Sequence, residues 1–112
     1  IILYIFLEIN LIKELGYDTN LKYFSDSDND LNKVKKIKID GYTYEVPNFL
    51  IKQKVPNEIS KSIIKRSLNF TRNVFLNKFF VPNNLIFPKS RVMLENYYNW
   101  SFFSLLAISI AK

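Results

Sequence analysis

The chain has 112 residues, enough for one small domain around a single modest core. Apolar residues make up 48% of it, including ten Phe and seven Tyr, which excludes a disordered polymer. It contains neither Cys nor His, so disulfides and thiol chemistry are absent, and both a structural zinc and a conventional enzyme base or nucleophile lack their usual donors.

Residues 1–15, IILYIFLEINLIKEL, read as a helix that Gly16 stops. The helix is apolar almost all round, and a buried core helix is favoured over a membrane-inserting one. Its apolar run before Lys13 is too short, and with Glu8 and Asn10 too polar, to span a bilayer. Residues 18–33 are polar and loop-like. Asp26, Asp28 and Asp30 imitate the first ligands of a calcium loop, but Leu31 and Ile37 stand where that motif needs Gly and an acid. Calcium binding is therefore rejected, and no cofactor or metal is expected.

Lys36-Ile37-Lys38-Ile39 and Tyr42-Thr43-Tyr44-Glu45-Val46 alternate on either side of Asp40-Gly41, which predicts a β-hairpin near 36–46. Pro47 to Gln53 reads as a short helical turn, broken by Val55-Pro56. A long amphipathic helix is predicted over 57–80, with Asn57 as its N-cap and Pro82 as its stop. Ile59, Ile63, Ile64, Phe70, Val74 and Phe75 form its apolar side, and Lys61, Lys65, Arg66, Asn69, Arg72 and Asn73 its polar side. That polar side holds no acid. A last helix should start near Pro88 and pass through Tyr97 and Tyr98, followed by an apolar tail over 100–112. The expected fold is mainly α: a small helical domain over 1–99 carrying one short hairpin.

Charge is unevenly spread. Residues 1–46 carry six Lys against eight Asp and Glu, whereas residues 47–112 carry ten Lys and Arg against Glu58 and Glu95. A basic half favours polyanions. The candidate binding residues are Lys61, Lys65, Arg66 and Arg72 on the long helix, with Lys78, Lys89 and Arg91 extending the field beyond it.

Three blocks then occur in a familiar order. Leu7-Glu8-Ile9-Asn10-Leu11-Ile12-Lys13-Glu14-Leu15-Gly16-Tyr17-Asp18 comes first and Tyr42-Thr43-Tyr44-Glu45-Val46-Pro47-Asn48-Phe49-Leu50 second. Last, Phe79-Phe80-Val81-Pro82 and a short loop lead into Pro88-Lys89-Ser90-Arg91-Val92-Met93-Leu94. Over roughly residues 5–97 the chain resembles the carboxy-terminal helical region of the DNA repair protein family RecO (recombination protein O). The resemblance implies a non-catalytic, cytoplasmic bacterial factor of DNA repair and recombination. Such a factor binds single- and double-stranded DNA, anneals strands, and helps load RecA with RecR as a partner. It also implies a site for the acidic tail of single-strand-binding protein. The chain starts without Met inside a helical pattern, so it reads as a fragment lacking that family's amino-terminal oligonucleotide-binding barrel. The absence of a four-cysteine zinc module departs from some members.

No small-molecule substrate is expected. The alternative is a small basic protein of the membrane surface, motivated by apolar ends at 1–12 and 100–111 around a cationic body.

Overall fold

The computed structural model describes residues 1–98. The chain is mainly helical, with one two-stranded antiparallel hairpin. The expected tail over 100–112 lies outside the described residues.

Helix α1 covers Ile2–Glu14, and Gly16 at φ +92° supplies the left-handed residue that ends it. Only its inner side is buried, through Ile5, Glu8 and Ile12. The expectation of a helix buried all round is corrected here, because Leu3, Leu7 and Leu11 point to solvent. A single 3₁₀ turn at Leu21–Phe24, which the polar reading of 18–33 did not anticipate, buries Leu21.

The acidic stretch that follows is a ladder of side-chain turns. Asp26, Asp28 and Asp30 each accept a hydrogen bond from the backbone N–H two residues on. Such local bonds favour a turn over any regular element. Among the described residues no cluster of acids is arranged to hold a metal ion.

Strands β1 (Val34–Ile39) and β2 (Tyr42–Pro47) pair with Ile39 opposite Tyr42 and Lys36 opposite Glu45. Asp40 and Gly41 both have positive φ, as a two-residue hairpin turn of this hand requires. A hairpin of two strands is marginal alone in water. This one is anchored by burying Ile37, Tyr44 and Val46, and Tyr44 meets Phe70 edge to face at 5.6 Å.

Helix α2 (Asn48–Lys52) is only five residues, yet Asn48, Phe49, Leu50 and Ile51 are all buried. Asn48 explains how so short an element holds its place. Its Nδ2 donates to the carbonyls of Asp28 and Asp30, and its own N–H donates to the carbonyl of Lys33. One side chain thus ties the acidic loop to the core.

Helix α3 runs over Lys61–Phe75 rather than from Asn57. The cap is Ser60, whose extended backbone turns its Oγ toward the N–H of Ile63 at 3.2 Å. Its buried side is Ile64, Ser67, Leu68, Phe70, Thr71, Val74 and Phe75, so Leu68 joins the predicted apolar face. Beyond Phe75 the helix widens into a π turn at Leu76–Phe80, closed by the Val81 N–H on the Leu76 carbonyl. The widened turn brings Phe80 against Phe75, Phe79 and Phe87, with ring centroids 5.1–6.2 Å apart. The last described helix, α4, occupies 89–98 and matches the expected start near Pro88.

Candidate functional site

The outer side of α3 presents Lys61, Lys65, Arg66, Asn69, Arg72 and Asn73, all exposed or half-buried. The hairpin lies against the same side. Register places Lys36 opposite Glu45 and Lys38 opposite Thr43, and opposed residues share a face of the sheet. Glu45 then reaches Arg66, with Oε2 2.7 Å from Nη1. Lys36 and Lys38 are both exposed and share the sheet face of Glu45, opposite the buried Tyr44, so the Glu45–Arg66 contact links that face to the cationic side of α3. Between the two elements lies a shallow groove of about 230 Å³, lined by Thr43, Glu45, Arg66, Asn69, Arg72 and Asn73.

The seven cations expected at the site divide sharply. Lys61, Lys65 and Lys89 have no ion pair among the described residues, and neither do Lys36 and Lys38. Arg66 is paired with Glu45 but remains exposed. Arg72 lies 2.8 Å from Glu95, and Lys78 lies 2.7 Å from Asp40, whose carboxylate pushes the lysine pKa up. The polar side of α3 is free of acids, but acids from β2 and α4 answer part of its charge.

Arg91 is the correction. The sequence reading placed it on a basic surface, whereas its guanidinium is buried between α1, α3 and α4. Nε donates to Glu8 Oε2 at 2.6 Å and Nη2 to Glu8 Oε1 at 3.1 Å, a two-pronged fit between planar groups. Nη2 also donates to the Leu68 carbonyl and to Thr71 Oγ1, while Nη1 reaches Glu95 at 3.4 Å. Thr71 in turn donates to Glu8 Oε1 at 2.7 Å, and the Tyr4 hydroxyl donates to Oε2. Burial, and then the Glu8 carboxylate beside it, push the Tyr4 hydroxyl pKa up. The ring of Phe87 lies under the guanidinium at 5.8 Å. Buried and held by these partners, Arg91 is not part of the exposed cationic surface.

Sequence reasoning missed Lys36 and Lys38, whose alternation marked only a strand. The signal was the hairpin register, which becomes informative once Glu45 is known to meet Arg66. Of the aromatics, Tyr44 is buried, whereas Tyr23, Tyr42 and Tyr97 are exposed. Among the described residues no helix is long and apolar enough to cross a membrane.

No protein-family model, no curated protein and no solved structure matches this chain.

Proposed function

We propose that this chain is a non-catalytic factor of DNA repair and recombination in the RecO manner, working in the bacterial cytoplasm. Its cationic side meets the phosphate backbone of DNA, single- or double-stranded, or the acidic tail of single-strand-binding protein. In that setting it assists strand annealing and RecA loading, with RecR as a further partner. The observation that carries the reading is the set of lysines without an ion pair among the described residues, Lys61 and Lys65 on α3 and Lys36 and Lys38 on β1, on two elements that the Glu45–Arg66 contact joins. Cations left without acids gain most from a polyanion, because each phosphate contact releases condensed counterions.

Fluorescence anisotropy with a labelled single strand, titrated across salt, tests the idea. Binding should weaken steeply as salt rises. Lys61→Glu with Lys65→Glu should weaken it at every salt concentration, and adding Lys38→Glu should weaken it further. Binding that is indifferent to these reversals at low salt, for both DNA and an acidic peptide, would reject the surface.

A second reading, association with a membrane surface, draws on the exposed Leu3, Leu7 and Leu11 beside a basic body. Vesicle flotation with and without anionic lipid separates it from the first, since a DNA-binding factor stays at the bottom of the gradient.

A further inference from the structure

The groove between β2 and α3 is shallow, but its lining has a definite chemistry. Two of its lining residues, Tyr44 and Phe70, are buried and give it an apolar floor, where they meet edge to face at 5.6 Å. Its walls are polar, with Glu45 on the strand side and Asn69 and Asn73, one turn apart, on the helix side. At about 230 Å³ it is smaller than the clefts of about 300–1,000 Å³ that enclose a drug-sized molecule. One planar ring system suits that space better than a run of sugar and phosphate.

Among the described residues the buried or half-buried asparagines are Asn48, Asn69, Asn73 and Asn77. Asn48 donates to the Asp28 and Asp30 carbonyls, and Asn77 donates to the Tyr44 hydroxyl. Asn69 and Asn73, the two that line the groove, have no side-chain hydrogen bond among the described residues. An amide sets a donor beside an acceptor, the pattern that an edge of adenine answers. Glu45 holds Arg66 through Oε2, and its Oε1 accepts no hydrogen bond among the described residues. A carboxylate accepts from an exocyclic amine but repels a phosphate, so Glu45 favours a base in the groove and the backbone outside it. Lys36 and Lys38 on the face of Glu45, and Lys61 and Lys65 on α3, are the cations left for that backbone.

We propose that this groove takes one unstacked base of a single strand and prefers a base with an exocyclic amine, adenine or cytosine, over thymine. The ring lies on the Tyr44–Phe70 floor. Its amine donates to Glu45 and to the amide oxygen of Asn69 or Asn73, and the amide N–H donates to the ring nitrogen beside the amine. Thymine presents a carbonyl oxygen in place of the amine, which leaves Glu45 facing a second acceptor. The inference rests on the DNA-binding reading above and adds a base preference to it, since phosphate contacts by themselves carry no sequence information.

An all-thymine oligonucleotide and the same strand with one central adenine, compared by fluorescence anisotropy across a range of salt, make the test. Wild type should bind the adenine strand several-fold more tightly at every salt concentration. Asn69→Ala with Asn73→Ala should erase that preference and leave the slope of log affinity against log salt unchanged, because no charge is lost. Alanine is a strong helix former, so this variant should keep the fold, and circular dichroism checks it. Lys61→Glu with Lys65→Glu should do the reverse, weakening both strands together and flattening the salt slope while their ratio holds. Equal binding of the two strands by wild type overturns the proposal and leaves the DNA-binding reading standing. A preference that survives in the alanine variant overturns the assignment to this groove. Absence of binding to either strand at low salt overturns both readings.

Discussion

Arg91 and Glu8, separated by 83 positions in the chain, meet as a buried fork with bond lengths of 2.6 and 3.1 Å. The fork joins the first helix to the last described one, and α3 closes it from a third side through Thr71 and the Leu68 carbonyl. Charges taken out of water must recover their hydration in such bonds, and here almost every donor and acceptor has a partner.

Arg91→Leu should therefore be among the most damaging single changes. It leaves the Glu8 carboxylate buried without a counter-charge, at a cost of roughly 3–5 kcal/mol. Arg91→Lys should recover only a minor part, because one ammonium cannot reproduce the planar double contact. Urea unfolding followed by circular dichroism measures both. A lysine variant as stable as wild type would mean that charge alone, not the fork, holds the helices together.

Gly41 isolates a different cost. At φ +86° it occupies a region where an L side chain is strained, yet a Cβ there would meet nothing within 4 Å. Gly41→Ala should therefore cost about 1 kcal/mol from backbone strain alone. Gly41→Asn should lose less, since Asn tolerates this conformation. Thermal unfolding of the two variants gives the order, and a larger loss for Asn would contradict it.

The acidic loop should show itself in acid. Lys35 and the Asp28 N–H hold the Asp26 carboxyl below its usual pKa, and Lys33 and the Asp30 N–H do the same for Asp28. A carboxyl lowered in the folded state contributes stability above its unfolded pKa and loses it as pH falls through the folded one. The melting temperature should accordingly hold steady down to about pH 5 and fall below about pH 4. Asp26→Asn with Asp28→Asn should flatten that acid limb. Added salt should flatten it as well, because these groups are exposed and screened. An unchanged acid slope in the double variant would remove the loop from the account.

The elements with a local cause were legible in the sequence. Asp40-Gly41 marked the hairpin turn because only positive φ closes two strands so tightly, and Pro88 marked the start of α4. The N-cap was placed three residues early: Asn57 and Ser60 are both good caps, and what favours Ser60 is the extended backbone on which its Oγ reaches Ile63. The fate of Arg91 was not legible. Nothing around Pro88-Lys89-Ser90-Arg91 distinguishes a surface arginine from a buried one until α1 delivers Glu8 from the far end of the chain. The lysines of β1 were missed for a similar reason, because their company depends on a contact between Glu45 and a helix twenty-one residues away.

A clasp between such distant positions also governs when the molecule can finish folding. During synthesis α1 leaves the ribosome long before Arg91 exists, so Glu8 emerges as a carboxylate that cannot yet be buried. The inner side of α1 can meet α3 first, but the charge on Glu8 must wait in water, or in the care of a chaperone, until α4 has been made. A nascent chain stalled before Arg91 could bring α1 onto α3, with Thr71 donating to Glu8, but would leave that carboxylate without its counter-charge.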